Sequence, residues 1–64
     1  MHVKVAEIVA ESKKSWQDAI ETAVAEASKT YPNITGIEVY NMTADCKDNR
    51  IIEYKANVGI AYVE

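Results

Sequence analysis

The segment RIIEYKANVGIAYV, Arg50–Val63, decides the fold of this chain. Every second residue from Ile52 to Tyr62 is apolar, whereas Glu53 and Lys55 lie between them. A period of two is typical of a β-strand with one buried face. At about 3.3 Å per residue such a strand spans roughly 46 Å, but a compact domain of this chain length is only about 28 Å across. We therefore expect the strand to bend around a helix or to extend towards another subunit.

The length and the composition of the chain point to self-association. A domain of 64 residues buries only about 60% of the surface that its extended chain exposes. Cys46 is the only cysteine and His2 the only histidine, which excludes an internal disulfide and a zinc site of the Cys/His type. Oligomerisation is then the remaining way to gain stability. We predict one domain, residues 1–64, that associates with copies of itself.

Charge and motif content exclude several classes of function. The net charge is −3, and no basic stripe extends beyond Lys13 and Lys14, so neither nucleic acid nor an anionic membrane is an expected partner. The sequence contains no signal peptide and no membrane span, and a lone cysteine suits a reducing compartment, so we expect a cytoplasmic protein with an inert, exposed Cys46 thiol. It also has no Ser/His/Asp set and no Gly-rich phosphate loop, so we do not expect an enzyme.

The first half of the chain predicts a strand followed by an amphipathic helix. The strand covers His2–Ala10, and its alternation slips, which indicates either a bulge or burial on both faces. Ser15 with Asp18 three residues later marks the helix start, and Tyr31-Pro32-Asn33 marks its end. Apolar side chains recur in the helix at spacings of three and four and form its core stripe: Trp16, Ala19, Ile20, Ala23, Val24 and Ala27.

The second half predicts a hairpin, which completes an α+β fold of order β-α-β-β. The second strand covers Ile34–Thr43 and is followed by the polar turn Asp45–Asn49. A right-handed crossover makes the first two strands parallel to each other, with the long third strand between them and antiparallel to both. We expect the helix to cover one face, formed by Ile37, Val39, Ile52, Tyr54, Val58 and Ile60. The apolar residues expected on the opposite face predict a subunit interface: Tyr40, Met42, Gly59, Ala61 and Val63.

Four segments of the chain resemble the dodecin family: VKVAEIVAES, SWQDAIETAVAEASKT, NITGIEVYNM and EYKANVGIAYVE. Together with the order β-α-β-β, they extend the resemblance over essentially the whole chain. The resemblance implies a curved, three-stranded antiparallel sheet half-wrapped around one helix. It also implies a homododecamer, a hollow shell of twelve copies that binds flavins near its two-fold axes and catalyses nothing.

Two departures from the family pattern concern the flavin pocket. Gly36 occupies the place where flavin-binding members have a tryptophan that stacks on the ring, and stacking of this kind is worth about 1 kcal/mol beyond the area buried. Lys55 occupies the place of the flavin-contacting glutamine, and a lysine donates hydrogen bonds but cannot accept them. The chain therefore resembles more closely those dodecin-like proteins that lack the tryptophan, some of which are associated with calcium or have no known ligand.

Three hypotheses follow for the function. The first is a non-enzymatic shell that binds, stores or buffers a small ligand or a cation, with pocket positions Gly36, Glu38 and Lys55. The second is a dodecin that binds riboflavin or FMN through other residues, such as Tyr40 or Lys55, and the third is a purely structural oligomer without a ligand. A four-residue turn, Asp45–Asp48, would pair Ala44 with Asn49 and place Glu38 opposite Lys55, which predicts an ion pair in the space that a flavin would use. A cation site on a three-fold axis of the shell is a further hypothesis, and the sequence identifies no residues as its ligands.

Overall fold

The computed structural model describes residues 2–64 and has the predicted element order. The strands are β1 (Val3–Ser12), β2 (Ile34–Lys47) and β3 (Arg50–Val63), and the helix is α1 (Trp16–Ala27). The sheet order is β1-β3-β2, and β3 is antiparallel to both neighbours, as predicted. The molecule measures 49 × 19 × 13 Å. The long strand thus makes the chain elongated, since a compact chain of this length would be only about 28 Å across.

Helix α1 begins where the sequence predicts. Ser15 has an extended backbone, and its Oγ accepts a hydrogen bond of 2.9 Å from the backbone N–H of Asp18. Ser12 Oγ, at the end of β1, donates a hydrogen bond of 2.6 Å to the Asp18 carboxylate. The cap satisfies a backbone donor that would otherwise lack a partner, and a carboxylate in the first helical turn interacts favourably with the helix dipole. The tight β1–α1 connection follows from these two hydrogen bonds.

Two aromatic pairs hold the two ends of the helical segment against β3. Trp16 meets Tyr54 edge-on at 4.8 Å between ring centroids, and its Nε1 donates a hydrogen bond of 2.8 Å to the Thr43 carbonyl. Just beyond the other end, the rings of Tyr31 and Tyr62 lie 4.7 Å apart. Trp16 is half-buried and its indole N–H is satisfied by β2, but it lies outside the core cluster, so its predicted place in the core stripe is wrong.

The core is small and rich in alanine. Helix α1 packs chiefly against β1 and β3, where small side chains allow the helix to approach the sheet closely. Ile37, Val39 and Ile52 lie on the helix-facing side of the sheet as predicted, but they are 40%, 41% and 48% exposed, so the prediction that α1 covers them is wrong. The buried side chains are Ala10, Ala19, Ala23, Ala27, Ala56, Val58, Ile60 and Tyr62.

The β2–β3 hairpin closes with a tighter turn than predicted. Asp48 and Asn49 have φ angles of 53° and 65°, the pair of left-handed conformations that a two-residue hairpin turn requires. Lys47 therefore pairs directly with Arg50. The predicted four-residue turn, with Ala44 opposite Asn49, is wrong. Asp and Asn adopt the left-handed region more readily than other non-glycine residues, which explains why the chain turns here.

Three register shifts, all in the β2–β3 ladder, distribute side chains between the two faces. Thr35 and Tyr40 in β2, and Ile52 in β3, are the extra residues. Tyr40 and Asn41 consequently lie on the same face, and Met42, paired with Ala56, moves to the helix-facing side. The prediction that Met42 shares a face with Tyr40 is therefore wrong.

Strand β1 pairs with β3 without any register shift, so the bulge considered for β1 does not exist. Its slipped alternation instead puts apolar side chains on both faces. Ile8 faces the helix with its partner Val58, whereas Val3 and Val5 face the opposite side and are 69% and 58% exposed.

Candidate functional site

The face of the sheet turned away from α1, called the open face below, carries all three predicted pocket positions. Residues paired across an antiparallel sheet share a face, so the register identifies its members. Three rows cross its centre from β1 to β2: Glu7, Gly59 and Glu38; Val9, Asn57 and Asn41; Glu11, Lys55 and Thr43.

Within one chain the predicted pocket residues do not meet. Gly36 pairs with Ala61, whereas Lys55 pairs with Thr43. Six positions along β3 separate these two rows, which is about 20 Å. Glu38 pairs with Gly59 and lies between them. A single chain therefore presents Gly36 and Lys55 as two separate spots on one face.

Gly36 leaves open space above the sheet. A Cβ added at this position would have no atom within 4 Å among the atoms that could obstruct it. The backbone there is compatible with an ordinary side chain, since no glycine of the chain has a positive φ. A larger side chain would therefore fit at position 36, and the glycine leaves this position without an aromatic surface.

Lys55 is held by an acidic partner that the sequence did not predict. Its Nζ lies 3.0 Å from Asp45 Oδ2, and the two side chains are 32% and 50% exposed. The hydrogen bond and the charge of Asp45 raise the pKa of Lys55 above its ordinary value, and the charges of Glu11 and Glu53 add to the rise. The predicted Glu38–Lys55 pair is therefore wrong, because the two-residue turn shifts the register that would have joined them.

A shallow cleft of about 180 Å³ lies at the centre of the open face. The Tyr40 ring extends over Gly59, and Asn57 Nδ2 donates a hydrogen bond of 2.8 Å to Asn41 Oδ1 beside it. Polar and apolar groups both reach the cleft. Its lining residues are Glu7, Ile8, Val9, Tyr40, Asn57 and Val58.

The residues at the flavin positions do not fit a flavin. Gly36 offers no ring to stack on, and Lys55 donates only and is already engaged by Asp45. Within residues 2–64, no group of three His, Cys, Asp or Glu side chains is close enough to hold a metal ion. One chain taken alone therefore presents a surface with scattered acidic groups rather than a finished ligand site.

Parity along the strands was enough to place Gly36, Glu38 and Lys55 on one face, but it could not identify their partners. Asp45 as the partner of Lys55 depends on the hairpin register, and the signal for that register was the Asp48-Asn49 dipeptide. No sequence signal indicated the bulge at Tyr40 or the Asn41–Asn57 hydrogen bond.

Comparisons with known proteins agree with the fold. A family model described as Dodecin matches residues 3–64. Among solved structures, dodecin from Streptomyces coelicolor is 22% identical with a TM-score of 0.91, covering 98% of this chain and 91% of that chain. Dodecin from Streptomyces davaonensis is 23% identical with a TM-score of 0.89, covering 95% and 90%. A Thermus thermophilus dodecin with a tryptophan replaced by phenylalanine is 25% identical with a TM-score of 0.91, covering 98% and 96%. No curated protein matches the chain.

The described residues also bear on a membrane location. Helix α1 has 12 residues, and no helix within residues 2–64 is long and apolar enough to cross a membrane.

Proposed function

Because this chain belongs to the dodecin family, we propose that it forms a non-enzymatic homododecameric shell that binds, stores or buffers a small ligand or a cation. Dodecins are generally ligand-binding proteins, and dodecin homologues form homo-oligomers. The observation that carries the proposal is the amount of apolar surface that a single copy leaves exposed on both sides of its sheet.

On the helix-facing side, the exposed apolar residues follow β2 and the start of β3 beyond the reach of α1. They form a nearly continuous stripe, because the bulges keep them on one side. The stripe consists of Ile37, Val39, Met42, Ile51 and Ile52, each between 40% and 56% exposed.

On the open face, exposed apolar residues follow β1. Val3, Val5 and Val9 are 69%, 58% and 60% exposed, and Tyr40 is 44% exposed. Soluble monomers rarely leave contiguous apolar surface of this kind in water, because covering it is favourable. Two separate apolar surfaces on opposite sides suit an assembly with more than one kind of contact, which a closed shell requires.

The ligand proposal rests on charge. The open face carries the carboxylates of Glu7, Glu11, Glu38, Asp45 and Glu53, which outnumber its cationic residues Lys47, Arg50 and Lys55. Twelve copies at −3 each would give a shell of about −36, which attracts cations. We do not assign a flavin role, because the residues at positions 36 and 55 do not fit a flavin. We expect the shell to be located in the cytoplasm.

Two alternatives stay open. A dodecin with a modified flavin pocket could use Tyr40, whose ring reaches the cleft over Gly59, in place of the missing tryptophan. A purely structural oligomer would have no ligand of its own. We favour neither, since Tyr40 lies towards the centre of the open face and not at Gly36, and the acidic face offers a reason for ligand binding.

Native mass spectrometry of the protein as purified tests the proposal. We expect a twelve-fold mass with added mass that identifies the ligand: a flavin and a divalent cation differ several-fold in mass. A bare twelve-fold mass would support the structural alternative. A monomer at all concentrations would contradict the shell.

A further inference from the structure

The end of the β2–β3 hairpin, residues 45–53 and called the arm below, projects beyond the rest of the sheet. Strand β1 ends at Ser12, which pairs with Tyr54, so the arm has only two strands. The rings of Trp16 and Tyr54 also mark the limit of the helix-covered part. An isolated two-stranded hairpin is marginally stable in water. Contact with another surface would therefore stabilise an arm of this kind.

The arm has one apolar side and one charged side. Because Ile52 is an extra residue in the ladder, both Ile51 and Ile52 lie with Cys46 on the helix-facing side. The opposite side carries four charged residues, Asp45, Lys47, Arg50 and Glu53. The apolar side continues the stripe described above, so the charged side is available for a different contact.

The four charges form two rows of like charge and opposite sign. Asp45 pairs directly with Glu53, and Lys47 pairs directly with Arg50. Like charges placed opposite each other across a ladder are destabilising. Lys55 compensates Asp45, but within residues 2–64 no ion pair engages Glu53, Lys47 or Arg50. The arm therefore retains charges that its own chain does not neutralise.

We propose that the charged side of the arm docks on the same side of the arm of a second copy, related to it by a two-fold axis. This inference rests on the proposed self-assembly and specifies one of its contacts. The acidic row of each arm then meets the basic row of the other. A self-complementary patch in which two features exchange partners is what a two-fold interface requires.

The order of the rows selects one orientation. With the two-fold axis perpendicular to the strands and between the rows, Asp45 and Glu53 of one copy lie over Lys47 and Arg50 of the other. With the axis parallel to the strands, each row would lie over its own equivalent, acid on acid and base on base. Like-charge contacts across an interface are strongly unfavourable, so the rows select the antiparallel arrangement. The charges therefore set the orientation of the two copies more than the strength of the contact.

The first test is a swap that preserves net charge. K47E/E53K turns each row into an opposite-charge pair within the chain, so the arm no longer needs a partner, and it places like charges over each other in the antiparallel arrangement. We expect the folded chain to be as stable as the wild type by circular dichroism. Analytical ultracentrifugation should show assembly weakened by about tenfold or more, since complementary charges across the interface are lost. Added salt should weaken wild-type assembly more than that of the variant.

The second test uses complementation between chains. K47E/R50E makes the arm wholly acidic, and D45K/E53K makes it basic. Each variant alone should assemble poorly, and an equimolar mixture should form mixed oligomers by native mass spectrometry. K13E/K14E, in the exposed turn before α1, makes the same charge change as K47E/R50E and should assemble like the wild type.

The outcomes separate the arm contact from the shell itself. A monomeric wild type would overturn both. An assembled wild type together with K47E/E53K that assembles equally well, or a mixture that forms no mixed oligomers, would overturn the arm contact alone and leave its charges as a solvated surface.

Discussion

Tyr40 lies across Gly59 on the open face, so closely that a Cβ added at position 59 would lie 2.8 Å from Tyr40 Cζ. The bulge at Tyr40 gives the ring this position, and the missing side chain at Gly59 gives it room. Val5 Cγ1, at 3.1 Å from the same added Cβ, bounds the space on the β1 side. A glycine in the central strand is thus explained by a neighbouring ring rather than by its backbone conformation.

Gly59→Ala should displace the Tyr40 ring at a small cost in stability, about 1 kcal/mol or less, because Tyr40 is 44% exposed and can move. An ill-fitting methyl group in a rigid site would cost about 1–3 kcal/mol. A double-mutant cycle with Tyr40→Ala, measured by urea unfolding, checks the coupling. We expect the cost of Gly59→Ala to disappear when Tyr40 is absent. An unchanged cost would show that Val5, and not Tyr40, limits the space.

Ser15→Ala should lower the free energy of unfolding by about 1 kcal/mol, because the N–H of Asp18 loses its capping acceptor. The fluorescence of Trp16, the only tryptophan, reports on unfolding right beside the cap. Ser28→Ala is the matched control, since the Ser28 hydroxyl is exposed and donates to the Ala25 carbonyl one turn earlier. Equal losses for both variants would contradict a specific role of the cap.

The ion pair of Lys55 with Asp45 should give stability that is lost in alkali. The pKa of Lys55 is raised in the folded state, mainly by the hydrogen bond to Asp45. A raised lysine pKa stabilises the fold fully below the unfolded-state value, ordinarily 10.5, and the contribution disappears as pH rises through the higher folded-state value. Melting temperatures measured from pH 8 to pH 12 should fall more for the wild type than for Lys55→Met. Lys13→Met, in an exposed turn, should keep the wild-type profile, and identical profiles for all three proteins would contradict the prediction.

Gly36→Trp with Lys55→Gln should create flavin affinity if the family pocket keeps its geometry in the assembly. The space above Gly36 admits a large side chain, and glutamine both donates and accepts hydrogen bonds. Quenching of riboflavin fluorescence measures binding, and each single variant serves as a control. A double variant that assembles and still does not bind riboflavin would show that the correspondence of positions is wrong.

Much of the fold could be predicted because it rests on local periodicity. The period of two in β3, the helical stripe of alanines and the Ser15 cap each act within a few residues, so the sequence displays them directly. Coverage by α1 could not be predicted, because it depends on how far the sheet extends past a helix of 12 residues. Ile37 and Val39 have the parity of core residues and are exposed for that reason.

Of the candidate site, the sequence predicted the face but not the contacts. Gly36, Glu38 and Lys55 share the open face by parity, and this placement survives because the turn shifts the register by an even number of residues and the bulges at Ile52 and Tyr40 cancel. The partner of Lys55 depended on the φ angles of Asp48 and Asn49, which this dipeptide favours but which the four-residue turn did not use. The face of Met42 depended on a single extra residue at position 40.

All three extra residues lie in the ladder between β2 and β3, and the ladder between β1 and β3 has none. Bulges bend a strand and increase its twist, so the sheet consists of a regular half that supports the helix and a coiled half that faces outward. The shape of the outer half can then change by gain or loss of one residue in β2 without disturbing the alanine core. Two copies of this fold with the same interior could in this way meet their neighbours at different angles.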